Sequence, residues 1–497
     1  MTADGSADLS PMSLARRFTL LGCLLAAVVA APASATTKGP GVQHLHYKFG
    51  PLHVSPGQNT IKFQPTDLRP KVPGYITRFK PDLIYANGTK PSVDVIHLHH
   101  GVWIVNGIPT FAVGEEKTIV SLPQGYGFRY TPDQSWIINY MIHNLTVNPD
   151  TVYITYDIDF VPDTSPLAKK MKTVRTQWMD VAGVKAYPVF DALRGSGKNG
   201  RFTFPDDDPT NPAVGPANSW TVSEPETLVQ TAGHLHPGGL NTYLTVTRGN
   251  KTRRIFTSKA HYWEPAGAVS WDVGMTSTAD DWRVALKPGD VVKVHAVYDT
   301  SKASWYEVMG IMVMAVQDNS TAGVDPFSGK KIDMKGHLTH GRLKENIDSG
   351  GNATGLPDPE KALDGPTATT QLTIDGFVYS QGDMTMSGMP GRPALVQQGQ
   401  PLTFLNSDAQ NDIYHTITAC KLPCNKSAGI GYPLANGPVQ FDSGELGFGP
   451  RFATAAKNTD TWSTPANLPV GTYSYFCRVH PFMRGTFRVV PAKKRSA

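Results

Sequence analysis

The chain has 497 residues, a formal net charge of +5 and only 18% charged side chains. This charge is small for the length, so it does not indicate a nucleic-acid-binding protein, and no nucleic-acid partner is expected. The 47 Gly and 40 Pro separate many short, strand-like apolar runs. The composition therefore predicts a multidomain, all-β protein with two or three hydrophobic cores.

The first 35 residues have the features of a secretory signal. Arg16 and Arg17 precede an apolar stretch that ends in a small-residue cleavage site at residues 33–35. We therefore expect residues 1–35 to be removed and the mature protein to be secreted or held in the cell envelope. The arginine pair leaves both the twin-arginine and the Sec export routes open. No later stretch is long and apolar enough to span a bilayer, so no integral membrane span is expected.

Residues 36–165 and 166–322 are predicted to form two β-sandwiches, and both contain metal-ligand side chains in strand-like runs. These side chains are His97, His99, His100, His143, His234, His236 and Met309. Successive side chains of a strand alternate between its faces, so His234 and His236 are expected to share one face, and His97 and His99 another. Two such pairs beside a Met-rich strand indicate metal binding more strongly than core packing.

Residues 323–370 are predicted to be a linker, because Gly, Pro, Asp and Thr predominate there without apolar periodicity. His337 and His340 lie within it. Either they form a metal site or, as we favour, they are solvated polar residues beside the linker.

The last predicted domain, residues 371–493, carries a cysteine, histidine and methionine close together: Cys477, His480 and Met483. His415, in the run DIYHTITA, supplies a second imidazole. Two histidines, a cysteine and a weak axial methionine form the blue-copper electron-transfer arrangement, also called type 1 copper. The sequence therefore predicts copper as the cofactor.

Two further cysteines, Cys420 and Cys424, flank a short Pro-containing loop. In an oxidising compartment they are expected to form a short disulfide, and a second metal site is the alternative.

The C-terminal string GTYSYFCRVHPFMRGTFRVV resembles the copper loop of cupredoxins, especially the amicyanin and plastocyanin type. This resemblance covers residues 371–493 and implies a Greek-key cupredoxin β-sandwich. It assigns the type 1 copper to His415, Cys477, His480 and Met483.

Three segments upstream resemble the copper type II, ascorbate-dependent monooxygenases, the group of peptidylglycine α-hydroxylating monooxygenase. They are IHLHHGVWI, the segment from LPQGYGFR to NYMIH, and GHLHPGG with the later EVMGIMVM. The same region is similar to the stress up-regulated Nod19 family, which shares VIHLHHGVW. The resemblance implies two jelly-roll-like β-sandwiches before the cupredoxin domain.

Carried over to this chain, the resemblance implies two further mononuclear coppers. An electron-transfer copper would lie on His99, His100 and His143, and an O2-binding catalytic copper on His234, His236 and Met309. The implied partners are a redox protein or a small reductant such as ascorbate, together with O2 and an unidentified organic substrate.

Several residues depart from the family pattern. Residues 36–320 contain no Cys, although the family's sandwiches carry disulfides. Ala232 stands where the peptide-hydroxylating members have an arginine, so a glycine-extended peptide is not the expected substrate. Strand alternation also pairs His97 with His99 in place of His100, unless a β-bulge turns His99 and His100 toward one metal.

Two functional readings follow. The first is an exported copper oxidoreductase, monooxygenase-like, with a fused blue-copper electron-transfer domain. The alternative is a non-enzymatic envelope protein that binds copper or relays electrons with the type 1 site alone. Multicopper oxidases and copper nitrite reductases fit less well, because they place a histidine directly beside the copper cysteine, whereas Phe476 and Arg478 flank Cys477.

Overall fold

The structure is a computed structural model of the chain. It describes residues 37, 39–93, 95–183, 188–208, 218–263, 272–301, 303–346, 371–384, 392–421, 440–448, 459–480 and 483–492. The predicted signal, residues 1–35, lies outside these ranges, as do Cys424 and the side chain of Cys420. The prediction of an all-β sandwich fold is confirmed, since the only helices among the described residues are short 3₁₀ turns at Ala168–Lys170 and Ser407–Asn411.

The strands of the first third are β1 (Gln43–Val54), β2 (Ile61–Pro65), β3 (Gly74–Tyr85), β4 (Ile96–Val105), β5 (Ile108–Gly114), β6 (Val120–Ser121), β7 (Tyr126–Tyr130), β8 (Trp136–Asn144) and β9 (Asp150–Pro162).

The strands of the middle third are β10 (Lys172–Asp180), β11 (Phe190–Ala192), β12 (Arg201–Phe204), β13 (Ser219–Thr221), β14 (Glu226–Leu235), β15 (Gly239–Arg248), β16 (Lys251–Tyr262), β17 (Val273–Thr278), β18 (Val284–Leu286), β19 (Val291–Asp299), β20 (Trp305–Val308), β21 (Gly310–Asp318) and β22 (Gly336–Leu338).

The strands of the C-terminal third are β23 (Gln371–Asp375), β24 (Val378–Tyr379), β25 (Ala394–Gln397), β26 (Thr403–Asn406), β27 (Thr418–Lys421), β28 (Phe441–Asp442), β29 (Thr461–Ser463), β30 (Gly471–Phe476) and β31 (Arg484–Val490).

A nine-stranded sheet runs through the first two predicted domains, in the order β1-β9-β3-β7-β10-β21-β14-β18 with β6 beside β3. Its two halves are joined where β10 pairs in parallel with β7 and antiparallel with β21. The sheet β2-β8-β4-β5 covers the first half, and a seven-stranded sheet built around β19 and β15 covers the second. One hydrophobic core lies under each cover. The sheet therefore continues across the predicted boundary between residues 165 and 166.

The predicted linker begins within the second unit. Strand β22 adds to the seven-stranded sheet by pairing with β17, and His337 lies opposite Ser277 there. The His340 ring lies within hydrogen-bond distance of the carbonyls of Val273 and Gly341. Residues 347–370 lie outside the described ranges.

The C-terminal unit is a sandwich of the sheets β24-β23-β26-β29 and β25-β31-β30-β27-β28 around its own core. This unit packs directly on the rest of the chain. Arg478 donates to the carbonyl of Ser304 at 2.7 Å and lies over the rings of Trp305 and Tyr306. Phe476 joins the hydrophobic core of the second unit.

Candidate metal centres

The C-terminal unit brings one thiol and two imidazoles to a common point. Cys477 follows the end of β30, and His415 precedes β27, where it forms an isolated bridge with Leu446. The Cys477 Sγ atom lies 3.9 Å from His415 Nδ1 and 3.8 Å from His480 Nδ1, and the two Nδ1 atoms are 3.2 Å apart. All three residues are buried.

These distances fit a single metal ion. A triangle with these sides has a point about 2.1 Å from every corner, close to ordinary metal–nitrogen and metal–thiolate bond lengths of about 2.0–2.3 Å. Met483 is fully buried in the same hydrophobic cluster as Cys477. Its N–H donates to the carbonyl of His480 at 2.9 Å, and its own carbonyl accepts from Cys477 N–H at 3.2 Å. The backbone therefore holds Met483 beside the three donors.

The groups around this site favour a thiolate and fixed imidazoles. Burial raises the pKa of Cys477, but the neighbouring His415 and His480 lower it further, so the net shift is well below the usual value. Backbone N–H groups of Thr416 and His480 also donate to Sγ, each at 3.3 Å. A deprotonated thiol is the form that binds metal.

Asp408 orients the first of these histidines. His415 Nε2–H donates to Asp408 Oδ2 at 2.9 Å, which leaves the Nδ1 lone pair facing Cys477. Burial raises the pKa of Asp408, but this hydrogen bond and those from the N–H groups of Phe377 and Gly376 lower it to about 2. The carboxylate is therefore ionised at neutral pH. Asp408 was not predicted from the sequence, because nothing in the run NSDAQNDIYH distinguishes it from a turn residue.

A second centre forms on one face of the sheet β2-β8-β4-β5. The pairing of β4 with β8 is regular up to Leu98, shifts at His99 and resumes at His100. Leu98 before this bulge and Trp103 after it both face the first core, although one residue number is even and the other is odd. The bulge therefore places His97 and His100 on the same side of the strand, away from that core.

The opposite strand β8 contributes His143, which lies directly across from His97 in the register. One ring nitrogen from each of His97, His99 and His143 falls within 4.8 Å of the others, and all three are buried. The rings of His99 and His143 stack at 4.1 Å between centroids. This compact group contains His97, whereas the family resemblance assigns His100. Side chains of β4 alternate between its two faces before the bulge, which places His97 on the face that His143 shares, away from the first core.

Strand β14 supplies the second predicted set, His234 and His236, whose ring centroids lie 5.2 Å apart. The two sets adjoin, because the rings of His99 and His236 are only 4.5 Å apart. His100 also lies at this junction, 4.8 Å from the ring of His99. The chain thus assembles one continuous group of six histidines: His97, His99, His100, His143, His234 and His236.

The third predicted member of the second set, Met309, is buried between β20 and β21. Its carbonyl accepts from the hydroxyl of Tyr298 at 2.6 Å, and that hydroxyl in turn accepts from His236 N–H at 3.1 Å. Met309 lines the same cavity as His100 and His234.

Two consecutive carboxylates, Glu115 and Glu116, connect the two histidine sets. Glu115 contacts His99 Nδ1, and its Oε1 lies 3.7 Å from His97 Nε2. Glu116 accepts from His234 Nδ1–H at 2.8 Å. The adjacent Gly114 permits this approach, since a Cβ there would lie 2.5 Å from Glu116 Oε2 and 2.6 Å from the His234 ring.

Neither glutamate was predicted from the sequence as a site residue, although a signal was present. In FAVGEEKTIV two acidic residues interrupt an apolar strand run, and both are only 2% exposed. Buried glutamates are rare unless they are paired.

Hydrogen bonds fix the tautomers of three of the histidines. His97 Nδ1–H donates to the carbonyl of Val93 at 2.5 Å, and His236 Nδ1–H donates to that of Glu307 at 2.9 Å. His234 donates from Nδ1 to Glu116 in the same way. Each Nε2 therefore keeps a lone pair, and those of His234 and His236 are buried with no hydrogen-bond partner among the described residues. Leaving such atoms unsatisfied costs about 1–3 kcal/mol each unless a metal or water binds them.

Burial also favours the neutral form of five histidines of the cluster, His97, His99, His100, His143 and His236. It lowers the pKa of His97 to about 4. Burial and the charge of His234 lower the pKa of His100 to about 3. Burial and neighbouring histidines hold the pKa values of His99, His143 and His236 well below the usual value. Neutral imidazoles are the form that coordinates metal, so the residues present fit a bound metal at neutral pH.

The two centres lie close together. The carbonyl of Gln58, in the loop after β1, accepts from the N–H of Asn144, the residue after His143, at 3.0 Å. The same loop approaches the C-terminal unit at Gly57, where a Cβ would lie 2.7 Å from Phe377 Cζ. The Phe377 ring packs edge-on against the His480 ring, 4.9 Å away.

Comparisons with known proteins add little to this geometry. No family model matches the chain, and no curated protein does. The chain is similar at 10% identity to a cryo-EM structure of Broad Bean Stain Virus, with a TM-score of 0.20, over 64% of this chain and 100% of that chain. It is similar at 10% identity to infectious bursal disease virus Gx strain, with a TM-score of 0.18, over 62% and 81%. Scores this low carry no argument about fold or function. Among the described residues, no helix is long and apolar enough to cross a membrane.

Proposed function

We propose that this protein is an exported copper-dependent oxidoreductase in which a blue-copper site delivers single electrons to a polyhistidine copper centre that uses O2. His415, Cys477, His480 and Met483 would hold the blue copper. The six-histidine cluster, with Met309 at its edge, would hold the reacting copper. The relation to the ascorbate-dependent monooxygenases and to the Nod19 family stays a prediction from the sequence resemblance.

The donor set of the first centre supports copper. A thiolate with two imidazoles and a thioether is the soft ligand set that favours copper over hard cations. The site is closed, because His415 is 0% and His480 1% exposed. A closed site of this kind suits electron transfer and leaves no room for a substrate.

The second centre supports O2 chemistry. Copper bound there would supply one-electron and O2 chemistry. Hydrogen bonds at Nδ1 of His234 and His236 leave their buried Nε2 lone pairs available to a metal, and a cavity reaches His100 and His234 from outside. Because the His99 and His236 rings are 4.5 Å apart, the donors of the two predicted histidine sites form one continuous group that would hold the copper.

The observation that carries the proposal is the proximity of the two centres. The Phe377 ring packs on the His480 ring and lies beside Gly57, and the carbonyl of the next residue, Gln58, accepts from the N–H of Asn144, the residue after His143, at 3.0 Å. A diffusing relay protein needs an exposed ligand edge for its partner. Here His480 is only 1% exposed, and the Phe377 ring that packs on it lies beside Gly57 of the first unit. External electrons would come from a redox protein or a small reductant such as ascorbate.

Copper content together with visible and EPR spectra tests this proposal, in wild type and in Cys477→Ser. We expect the substitution to remove the blue absorption band and one copper, while the remaining copper stays bound. In single-turnover experiments, O2 added to the reduced wild type should reoxidise the blue copper, and the rate of this reoxidation should depend on His143. A single copper that disappears with Cys477 would refute the proposal and favour the non-enzymatic electron-relay or copper-binding alternative.

A further inference from the structure

A cavity of about 220 Å³ lies between the two layers that meet at the histidine cluster. Its roof is the sheet β2-β8-β4-β5 and its floor is the nine-stranded sheet. At its inner end are His100, Glu116, His234 and Met309. Phe63, which is 49% exposed on β2, also lines the cavity and marks its outer end.

Strand alternation makes the floor of the cavity apolar. Trp178, Val313 and Ala232 form one cross-strand row over β10, β21 and β14. In the next row Ile311 stands between Asp180 and His234. Side chains of one row share a face, so apolar groups lead directly to the His234 ring.

The roof repeats this pattern. Ala112, Val102 and Asn139 form one row across β5, β4 and β8, and Gly114, His100 and Met141 form the next. The bulge at His99 is what places Val102 and His100 on the cavity side. Asn139 is the polar group in the outer of these two rows.

The charges that line the cavity are already engaged. Glu116 accepts from His234 at 2.8 Å. Asp180 accepts from the N–H of Ala182 at 3.1 Å and from the Trp178 indole at 3.3 Å. No Lys or Arg is among the described lining residues. An anionic ligand would lose its hydration there without gaining an opposite charge, at a cost of several kcal/mol. A cationic ligand would meet only the carboxylates of Glu116 and Asp180, which already accept hydrogen bonds from protein groups.

We infer that this cavity binds a neutral, largely apolar organic substrate of about one aromatic ring and presents it to His100, His234 and Met309. An apolar cavity of about 150 Å³ suffices for benzene, so this one accommodates a ring with a short substituent. A peptide backbone with several amides would exceed both its size and its polar capacity. The binding inference rests on the cavity, and the role as substrate rests on the proposed function.

Toluene, benzoate and benzylamine form a matched series for the test, since they share the ring and differ in charge. Calorimetric titration into the metal-free and the copper-loaded protein should give toluene at least tenfold tighter binding than either ion. Val313→Phe should weaken toluene binding at least tenfold by filling the cavity. Val297→Phe, a partly exposed valine on β19 away from the cavity, is the matched control and should leave it unchanged. Circular dichroism verifies that both variants fold.

Benzoate or benzylamine binding as tightly as toluene would overturn the inference, and so would unchanged toluene binding in Val313→Phe. Toluene should also shift the EPR signal of the copper-loaded cluster, and no shift with toluene bound would overturn the placement beside His234. The metal-free titration separates the two proposals. If copper fails to bind, toluene affinity still tests the cavity. If copper binds and reacts with O2 but only charged ligands bind, the cavity inference alone fails.

Discussion

Replacing Glu116 with glutamine tests whether its carboxylate presets His234 for metal. In the wild type, Oε2 accepts from His234 Nδ1–H, while Oε1 accepts from Gly114 N–H at 2.9 Å and from the Thr118 hydroxyl at 3.1 Å. Glutamine has one acceptor oxygen and one NH2 group. If the oxygen stays with Gly114 and Thr118, the NH2 group faces His234 Nδ1, which must then accept. The His234 proton moves to Nε2, and the inward lone pair is lost.

The size of the effect follows from this change of tautomer. Loss of an outer partner that orients a ligating histidine typically lowers metal affinity about 10–100-fold. That factor corresponds to about 1.4–2.7 kcal/mol of binding free energy. We expect the loss only in the histidine cluster, because Glu116 has no contact with Cys477 or its ligand partners among the described residues.

Competition against a chromophoric Cu(I) chelator measures this affinity, and the blue absorption band reports the other site. Glu226→Gln is the matched control, since Glu226 is equally buried on β14 but pairs with Arg175 at 3.0 Å. Copper affinity of Glu116→Gln within twofold of wild type would refute the reasoning. Equal losses of copper affinity in both variants would show that removing a buried carboxylate charge lowers the affinity and that the His234 tautomer does not.

Two further substitutions probe the unit interface and the acid stability. Gly57→Ala should slow electron transfer from the blue site at least tenfold in stopped-flow experiments, because its Cβ would lie 2.7 Å from Phe377. Gly88→Ala is the control, since Gly88 also has a positive φ but nothing lies near its Cβ position, and its rate should not change. Equal rates in wild type and both variants would count against the fixed interface. Burial raises the pKa of Asp325, but hydrogen bonds from Lys287, the Phe327 N–H and Arg248 lower it from 3.8 to about 2, so ionisation stabilises the fold by about 2 kcal/mol above pH 4. That contribution is lost as the pH falls toward 2. The urea midpoints of wild type and Asp325→Asn should therefore differ at pH 7 and converge between pH 4 and 2. A difference that stays constant with pH would contradict the lowered pKa of Asp325.

Local pattern was enough to predict the all-β class. Short runs of β-branched and aromatic residues between Gly and Pro have period 2, and that period survives in the burial of strands such as β3, β25 and β26. The grouping of Cys477, His480 and Met483 was also predictable, because they lie within seven residues of one another at the turn between β30 and β31.

The composition of the histidine cluster was less accessible. A single bulge at His99 reverses the parity of β4 and brings His97 and His100 to one side. Sequence spacing cannot reveal a bulge, because it depends on the pairing of β4 with β8. Glu115 and Glu116 were missed for a related reason, since their histidine partners come from different strands and, for Glu116, from 118 residues away.

Side-chain chemistry and strand alternation are local properties, so the sequence alone specifies which metal-ligand side chains the chain has and which face each strand offers. Tertiary packing is what brings both histidine sets into one group, places a carboxylate behind His99 and another behind His234, and sets the Cys477 site near His143. Those relations depend on how separate sheets pack, and the packing energy is spread over apolar side chains that carry no sign of the site they enclose.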